Sequence, residues 1–557
     1  MRDIFKKDEF YFVPLGGSEE FGVNFNLYVN NDEYLLIDCG IGFADERYPG
    51  IDLLLPDPKF VEENKDKIKG LVITHAHEDH IGAVAYLWER LECPIYTSKF
   101  TAAVLRRKLD QEGVDDVPVH VIETGKPFKL GSFDIESIHV AHSVPEALSL
   151  KVTTSHGSVI HSGDWNLDPN PVIGGKSDEK RFREIGKEGV LAYVGDSTNA
   201  NVAGFSGSES DVAKGLAEEF RTHKGRIAVT IFSSNIGRIH SIAKAAQETG
   251  RSVILFGRSL HRMVGAAREC GYLNDIPDFL EEDDLTELAP ENTVMILTGS
   301  QGEHRAALAK IARGEHRYAE LKAGDTVIFS ARTIPGNERR INTVKNNLSA
   351  AKVNVVDPKT TTNKIHVSGH PCQDEIQAML QWLRPDCVVA VHGERYMLDA
   401  HAALAKECQV NHSVVPNNGS VIRLAPGQIK IVDHVETGLL AVDQKRIIPS
   451  DHQTITARRK LQYSGTVHAS LVLDHDLNIL GKIKLDNVGL TTQDDADEVL
   501  HDDLIKKVNE ILDDIPHDVV LNEDEIAETI RIALRRYVTD IIGIRPKVSV
   551  HVTLLDV

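Results

Sequence analysis

A layered α/β protein of several domains is what this 557-residue sequence predicts, on three observations. The length exceeds the roughly 250–300 residues at which a single core stops growing. Hydrophobic content of 41%, with ordinary glycine and proline, suits large cores and excludes a disordered or fibrous chain. Strand-length apolar runs alternate with helix-spaced segments and glycine-bearing turns.

The first third sets strand-like runs at Phe10–Leu15, Tyr34–Asp38, Gly70–Thr74, Phe133–His139 and Ser158–His161, with helical pieces between them. From Ser206 the rhythm becomes strand, helix, strand. Arg226–Phe232 is followed by helix-spaced residues over Asn235–Thr249 that stop at Gly250, then by strands at Ser252–Phe256, Thr293–Leu297 and Thr326–Phe329. Such repetition predicts a parallel sheet with its loops at the carboxyl ends. Strand-rich character returns after Thr361, at Cys387–Val391 and Val421–Leu424, so the middle segment reads as an insertion into the first domain. The final hundred residues read as a small α+β domain. Its strands are expected at Thr466–Leu473, Ile479–Leu485 and Lys547–Leu554, with helices over Asp495–Leu512 and around Ile526, Ile530, Leu534, Tyr537 and Ile541. The boundaries expected are 1–205 and 361–440 for the first domain, 206–360 for the insertion, 441–460 for a linker and 461–557 for the terminal domain.

The apolar runs are too short for a membrane span. The start, Met1–Glu9, lacks the apolar core of a signal peptide, so a cytoplasmic location and no membrane partner are expected. Cys39, Cys93, Cys270, Cys372, Cys387 and Cys408 include no CxxC pair and read as reduced bystander thiols. The net charge of -21 counts against nucleic acid at first sight. Residues 491–528, however, hold 14 acidic residues and two lysines, over half of the excess. The rest of the chain is only mildly acidic and leaves room for a basic channel. The acidic stretch reads as a solvated helix face, and Arg458-Arg459-Lys460 as solvated surface or an RNA contact.

The strongest chemical signal is Thr74-His75-Ala76-His77-Glu78-Asp79-His80, directly after the apolar run Gly70–Ile73. Imidazole and carboxylate are the ligands zinc favours. In an extended segment His75 and His77 face one way and can share an ion, while Asp79 and His80, beyond the turn, reach a second. Two ions need more ligands than one loop supplies. His142, Asp164 and His392 each stand just past a strand, and Asp164 can bridge two ions. Trp165 reads as a partly buried core residue beside the site. In the middle segment Ser233, Ser234 or Asn235 can cap the helix that follows; its free N–H groups then suit either ordinary capping or phosphate binding.

This HxHxDH run with His142, Asp164 and His392 resembles the metallo-β-lactamase superfamily, and Asp38 matches that fold's first motif, a support behind the ligands. The segment after Asp196-Ser197-Thr198-Asn199 resembles the β-CASP insertion of nucleic-acid-processing members. Asp196, His370 in Val367-Ser368-Gly369-His370, and His392 match that family's motifs A, B and C, and a histidine at motif C goes with RNA. Phe256-Gly257-Arg258-Ser259, Leu297–Glu303, Ile334-Pro335-Gly336-Asn337 and Val391-His392-Gly393-Glu394 extend the resemblance, over essentially the full chain, to the bacterial ribonuclease J family.

The resemblance implies a metallo-β-lactamase αββα sandwich with an inserted parallel β-CASP domain and a small α+β terminal domain. It implies a two-metal 5'-to-3' exoribonuclease with endoribonuclease activity, acting in RNA maturation and mRNA decay and preferring 5'-monophosphate RNA. Two Zn2+ ions per subunit are expected, with Mn2+ able to occupy such sites. His75, His77 and His142 would hold the first, and Asp79, His80 and His392 the second, with Asp164 bridging. His370 is the candidate for binding the scissile phosphate or protonating the leaving oxygen, and Asp196 for orienting its neighbours. Ser233, Ser234, Asn235, Ser368, Gly369 and His370 would form the 5'-phosphate pocket. RNA is the expected partner, with a homodimer or homotetramer and the partners of an RNA-degradation complex. The alternatives are a β-CASP nuclease acting on DNA, a small-molecule hydrolase on the same fold, and a non-catalytic RNA-binding subunit of a ribonuclease complex.

Overall fold

A computed structural model describes residues 4–490, 497–515 and 522–556. Contacts divide the chain into a larger unit, 1–43 with 53–440, and a smaller one, 44–52 with 441–557.

The larger unit is built on two sheets stacked face to face. The eight-stranded sheet runs in the order 430–434, 420–425, 10–16, 25–30, 33–37, 68–72, 95–97 and 119–121. The seven-stranded sheet runs 128–130, 133–139, 148–154, 157–161, 192–196, 387–391 and 412–414. Alternate residues of each strand meet between them. Phe10, Phe12, Tyr28, Leu35, Ile37 and Val72 pack on Ile135, Leu150, Val152, Val159, Val194 and Val389, all fully buried. Helices cover the outer faces. On one side Phe182, Ile376, Leu383 and Leu404 from three helices pack around Trp165 and Tyr193. Trp165 is completely buried rather than partly so, because its indole Nε1 finds the Tyr193 hydroxyl at 3.0 Å and needs no water.

The insertion shows in strand register. Ala192–Asp196 pairs in parallel with Cys387–Val391, residue for residue, so the chain leaves the sheet after one strand and returns to it beside that strand. Between them stands a five-stranded parallel sheet, ordered 252–256, 293–297, 227–230, 326–329 and 354–356. A parallel pair needs a crossover, and helices Ile236–Glu248, Arg258–Glu269, Ala307–Ala312 and Glu338–Ala350 supply them. The carboxyl ends of these strands therefore all open on the same edge.

The smaller unit contains a three-stranded sheet, 484–488, 466–474 and 547–555, with helices Asp497–Asp513 and Glu523–Ile542. Ile526, Ile530, Leu534 and Val538 lie at helical spacing and are fully buried against Val467, Leu471, Leu504 and Val508. Two expectations change here. The strand expected at Ile479–Leu485 is Lys484–Val488, because residues up to Gly481, with Leu477 at φ 63, are used in turning the chain. The expected linker 441–460 is ordered structure: a strand at Arg446–Pro449, then a helix Gln453–Ser464 anchored by Ile455. Arg458 in that helix is bound through both nitrogens to Asp443, at 2.9 Å each, which removes it as a free RNA contact. Of the acidic stretch, residues 491–496 and 516–521 lie outside the described residues.

Candidate metal centre and substrate site

Thr74-His75-Ala76-His77 leaves the buried end of strand Ile68–Val72, and a one-turn helix, Glu78–Ile81, carries Asp79 and His80 back toward it. That reversal needs close backbone contact. A Cβ on Gly40 would stand 1.6 Å from the Asp79 carbonyl oxygen, so only glycine fits there. Asn24 then fixes the turn, its amide donating to the Asp79 carbonyl at 2.9 Å.

His75, His77, His142 and Asp164 form one convergent group, and Asp79, His80, Asp164 and His392 a second. Asp164 Oδ2 lies 3.6 Å from His75 Nε2, 3.8 Å from His142 Nε2 and 3.3 Å from His80 Nε2. Its Oδ1 lies 3.6 Å from His392 Nε2, which is itself 3.3 Å from Asp79 Oδ2. His75 Nε2 and Asp164 Oδ2 are buried with no hydrogen-bond partner. Native interiors rarely leave such atoms unmatched. Unpartnered lone pairs facing one another within a shell of imidazoles and carboxylates fit divalent metal, and Asp164 is common to both groups.

The outward nitrogens of these imidazoles are held from behind. His80 Nδ1 is 2.8 Å from Asp38 Oδ2, and Asp38 also accepts from the Thr74 backbone at 2.8 Å. His142 Nδ1 donates to the Gly369 carbonyl at 2.7 Å. His392 Nδ1 meets Thr198 Oγ1 at 2.9 Å. Each contact leaves the other ring nitrogen for the centre. Asp38 and His392 both follow strands with φ of 62° and 57°, a conformation non-glycine residues adopt at a cost and that turns each side chain toward the cluster.

Charge follows this packing. Burial pushes His77 down to about 4 and His142 to about 3, keeping them neutral as ligands must be. Burial also opposes charge on His80 and His392, but Asp164 and the neighbouring carboxylates outweigh it and raise both well above the ordinary value, so a cation bound there would have to displace their protons. Asp79 and Asp164 stay ionised in spite of burial because these imidazoles face them.

His370 and Asp196 adjoin the cluster. His370 Nδ1 is 2.8 Å from Asp196 Oδ2 and 3.7 Å from Asp164 Oδ2, and with His392 these residues form a third group of potential ligands. Burial disfavours the His370 imidazolium, yet Asp196 and Asp164 raise its pKa overall. A Cβ on the preceding Gly369 would come within 2.7 Å of the His142 ring. Asn235 caps its helix by accepting from the Arg238 backbone at 2.8 Å. With Ser368, Gly369 and His142 it lines one small cavity, which also contains Asp168 and Glu209. Those carboxylates are engaged, Asp168 by the Glu209 backbone and Glu209 by buried Arg238. Ser233 and Ser234 stand half-buried just before the cap and do not line this cavity.

Sequence reasoning missed several supports. Asn199 donates to Ser368 Oγ at 2.9 Å and to the His370 carbonyl at 3.1 Å, and Asn166 to the Gly369 carbonyl at 3.2 Å. Glu375, almost fully buried, accepts from the backbones of Leu167, Ser206 and Cys372, each at 2.8 Å. It thus ties the loop after Asp164, the entry to the insertion and the chain after His370. Asn199 lay in a motif already singled out. Glu375 looked like any acid in a helix's first turn.

Two stacked sheets with a His/Asp cluster at their strand ends, and a parallel α/β domain inserted between adjacent parallel strands, define a metallo-β-lactamase-fold hydrolase of the β-CASP class that binds divalent metal. The chain's segments match family models accordingly: a beta-lactamase superfamily domain over residues 33–179, a ribonuclease J beta-CASP domain over 224–348, a Zn-dependent metallo-hydrolase RNA specificity domain over 356–416 and a ribonuclease J C-terminal domain over 453–555. Ribonuclease J of Sinorhizobium meliloti is 40% identical over 99% of this chain and 98% of its own length. Ribonuclease J of Mycolicibacterium smegmatis is 36% identical over 94% of each. A crystallised protein of unknown function from Enterococcus faecalis V583 shares the fold at a TM-score of 0.50 and 14% identity, over 74% of this chain and all of that one. The chain belongs to the ribonuclease J family.

Proposed function

We propose that this protein is a two-metal ribonuclease that degrades RNA from the 5' end and also cuts internally, with preference for a 5'-monophosphate. The observation that carries the reading is the pair of unpartnered buried atoms, His75 Nε2 and Asp164 Oδ2, within a histidine and carboxylate cluster beside His370. The ligand sets are His75, His77 and His142 on one side and Asp79, His80 and His392 on the other, shared by Asp164. Zn2+ suits these donors, and Mn2+ is the substitute. Divalent cations bound there would supply Lewis acidity to the phosphodiester and lower the pKa of the attacking water.

The chain's own residues do the rest. Asp196 holds His370 Nδ1 and favours its protonated form, which leaves Nε2 to donate a proton to the departing 3'-oxygen. The N-terminus of helix Ile236–Glu248, through Asn235, receives the terminal phosphate together with Ser368 and Gly369, with His370 beside them, while Ser233 and Ser234 lie outside that cavity. A pocket so close to the centre admits one nucleotide, gives mononucleotide release and disfavours the bulk and charge of a triphosphate. RNA is the partner, as the names of the relatives and of the matched specificity domain suggest. The terminal domain is proposed to support a homodimer or homotetramer.

The test is degradation of 5'-labelled monophosphorylated RNA by the purified protein with Zn2+ or Mn2+, beside Asp79→Ala/His80→Ala. Labelled mononucleotide from the parent alone is expected. No cleavage with either metal, despite bound ions, would favour the binding-subunit reading, and equal decay of triphosphorylated RNA would remove the pocket.

A further inference from the structure

Arg332 stands just beyond the carboxyl end of strand Thr326–Phe329 in the inserted sheet, on backbone fixed at three points. Buried Gln301 donates to the Arg332 carbonyl at 2.8 Å, and its other amide atom accepts from the Ile334 backbone at 2.9 Å. Two residues upstream, fully buried Arg238 binds the Ser330 carbonyl at 2.7 Å. The residue is nevertheless exposed. Its guanidinium hydrogen-bonds Asn199 Oδ1, the buried side chain whose amide holds Ser368 and the carbonyl of His370. Among the described residues Asn199 is the only hydrogen-bond partner of this guanidinium, which has five N–H donors. Here the backbone is anchored and the charge is bound to the same asparagine that positions the His370 loop, with its other donors open.

Charge points the same way. Asp38, Asp79, Asp164 and Asp196 crowd the centre, and a polyanionic strand approaching them needs fixed positive charge nearby.

Resting on the ribonuclease reading above, we infer that Arg332 binds a backbone phosphate of the RNA strand next to the centre, with Asn199 holding it at a set distance from His370. It is a positioning residue: it fixes the register of the strand and takes no part in bond cleavage. Arginine suits the task because its planar fork can grip Asn199 and a phosphate together.

The test compares the full-length metal-loaded parent with Arg332→Ala and Arg332→Lys on a 5'-monophosphorylated single strand over a range of salt, and on bis(4-nitrophenyl) phosphate, a diester with no neighbouring phosphate. For Arg332→Ala, KM for RNA should rise about tenfold. The slope of log kcat/KM against log salt should flatten by about one, as for one lost phosphate contact. Hydrolysis of the small diester should be unchanged, and Arg332→Lys should restore the slope and only part of the KM. An unchanged slope, or equal losses on both substrates, would make Arg332 a structural strut and overturn the inference alone. A parent that cleaves the diester but not RNA would overturn it together with the reading it rests on.

Discussion

The seven-stranded sheet and the inserted five-stranded sheet both present loops at the carboxyl ends of parallel strands, and they offer opposite chemistry there. At or just past the ends of 157–161, 192–196 and 387–391 stand Asp164, Asp196 and His392, groups that give lone pairs to cations. Past 227–230 and 326–329 come Ser233–Asn235 and Arg332, whose N–H, hydroxyl and guanidinium groups suit anions, while Gln301, past 293–297, is engaged by the backbone of Arg332 and Ile334. Strand ends are rigid mounts whose cargo is not dictated by the fold. The comparison teaches that inserting one such mount beside another sets the His/Asp cluster and the proposed phosphate contacts within reach of a single strand.

The sharpest way to break the comparison is Asp164→Asn. It removes the charge shared by both ligand groups, so bound metal should fall and RNA hydrolysis should drop by on the order of a thousandfold or more. Elemental analysis and a cleavage assay check this; near-normal metal content with activity retained would mean that the centre lies elsewhere.

Acid should act on the two sheets through different histidines. His161 and His401, buried beside the seven-stranded sheet, are pushed down by burial to about 4 from an ordinary 6.5. Folded, they stay neutral, whereas the unfolded chain takes up protons below about 6.5, so the stability they permit is complete above that pH and is lost as pH falls toward 4. His366, buried against Arg238 beside the inserted sheet, is likewise held well below its ordinary value, by burial and by Arg238 and Arg332. Hydrogen exchange between neutral pH and about pH 5 should therefore show protection falling in both sheets, around His161, His401 and His366. His401→Gln should lessen the loss in the seven-stranded sheet alone, and an equal effect on both sheets would contradict the assignment.

The smallest effect belongs to the anion side. Asn235→Ala removes a helix cap and should cost about 1 kcal/mol in denaturant unfolding. Metal content should be unaltered while the preference for 5'-monophosphate RNA weakens. Metal loss in this variant would show that the two mounts are not separable.

The inserted strands 252–256, 293–297 and 326–329 were legible to the residue, since a buried parallel strand is an uninterrupted apolar run bounded by turns. The ligand candidates were legible too, because His75, His77, Asp79 and His80 are adjacent in sequence and the others follow strands. The ordered segment at 441–460 was not, as the helix Gln453–Ser464 buries Ile455 alone and has no apolar stripe to announce it.

Local sequence by itself determined which segments become strands and which polar residues stand at their ends, since apolar periodicity and turn chemistry act over a few neighbours. Only the tertiary structure decided that Asp164 is shared by two groups, that Glu375 binds two distant segments besides capping its own helix and that Arg332 meets Asn199 across 133 positions. Those contacts arise where separate strands end on one edge, and their geometry is set by sheet packing, which no neighbouring residue encodes.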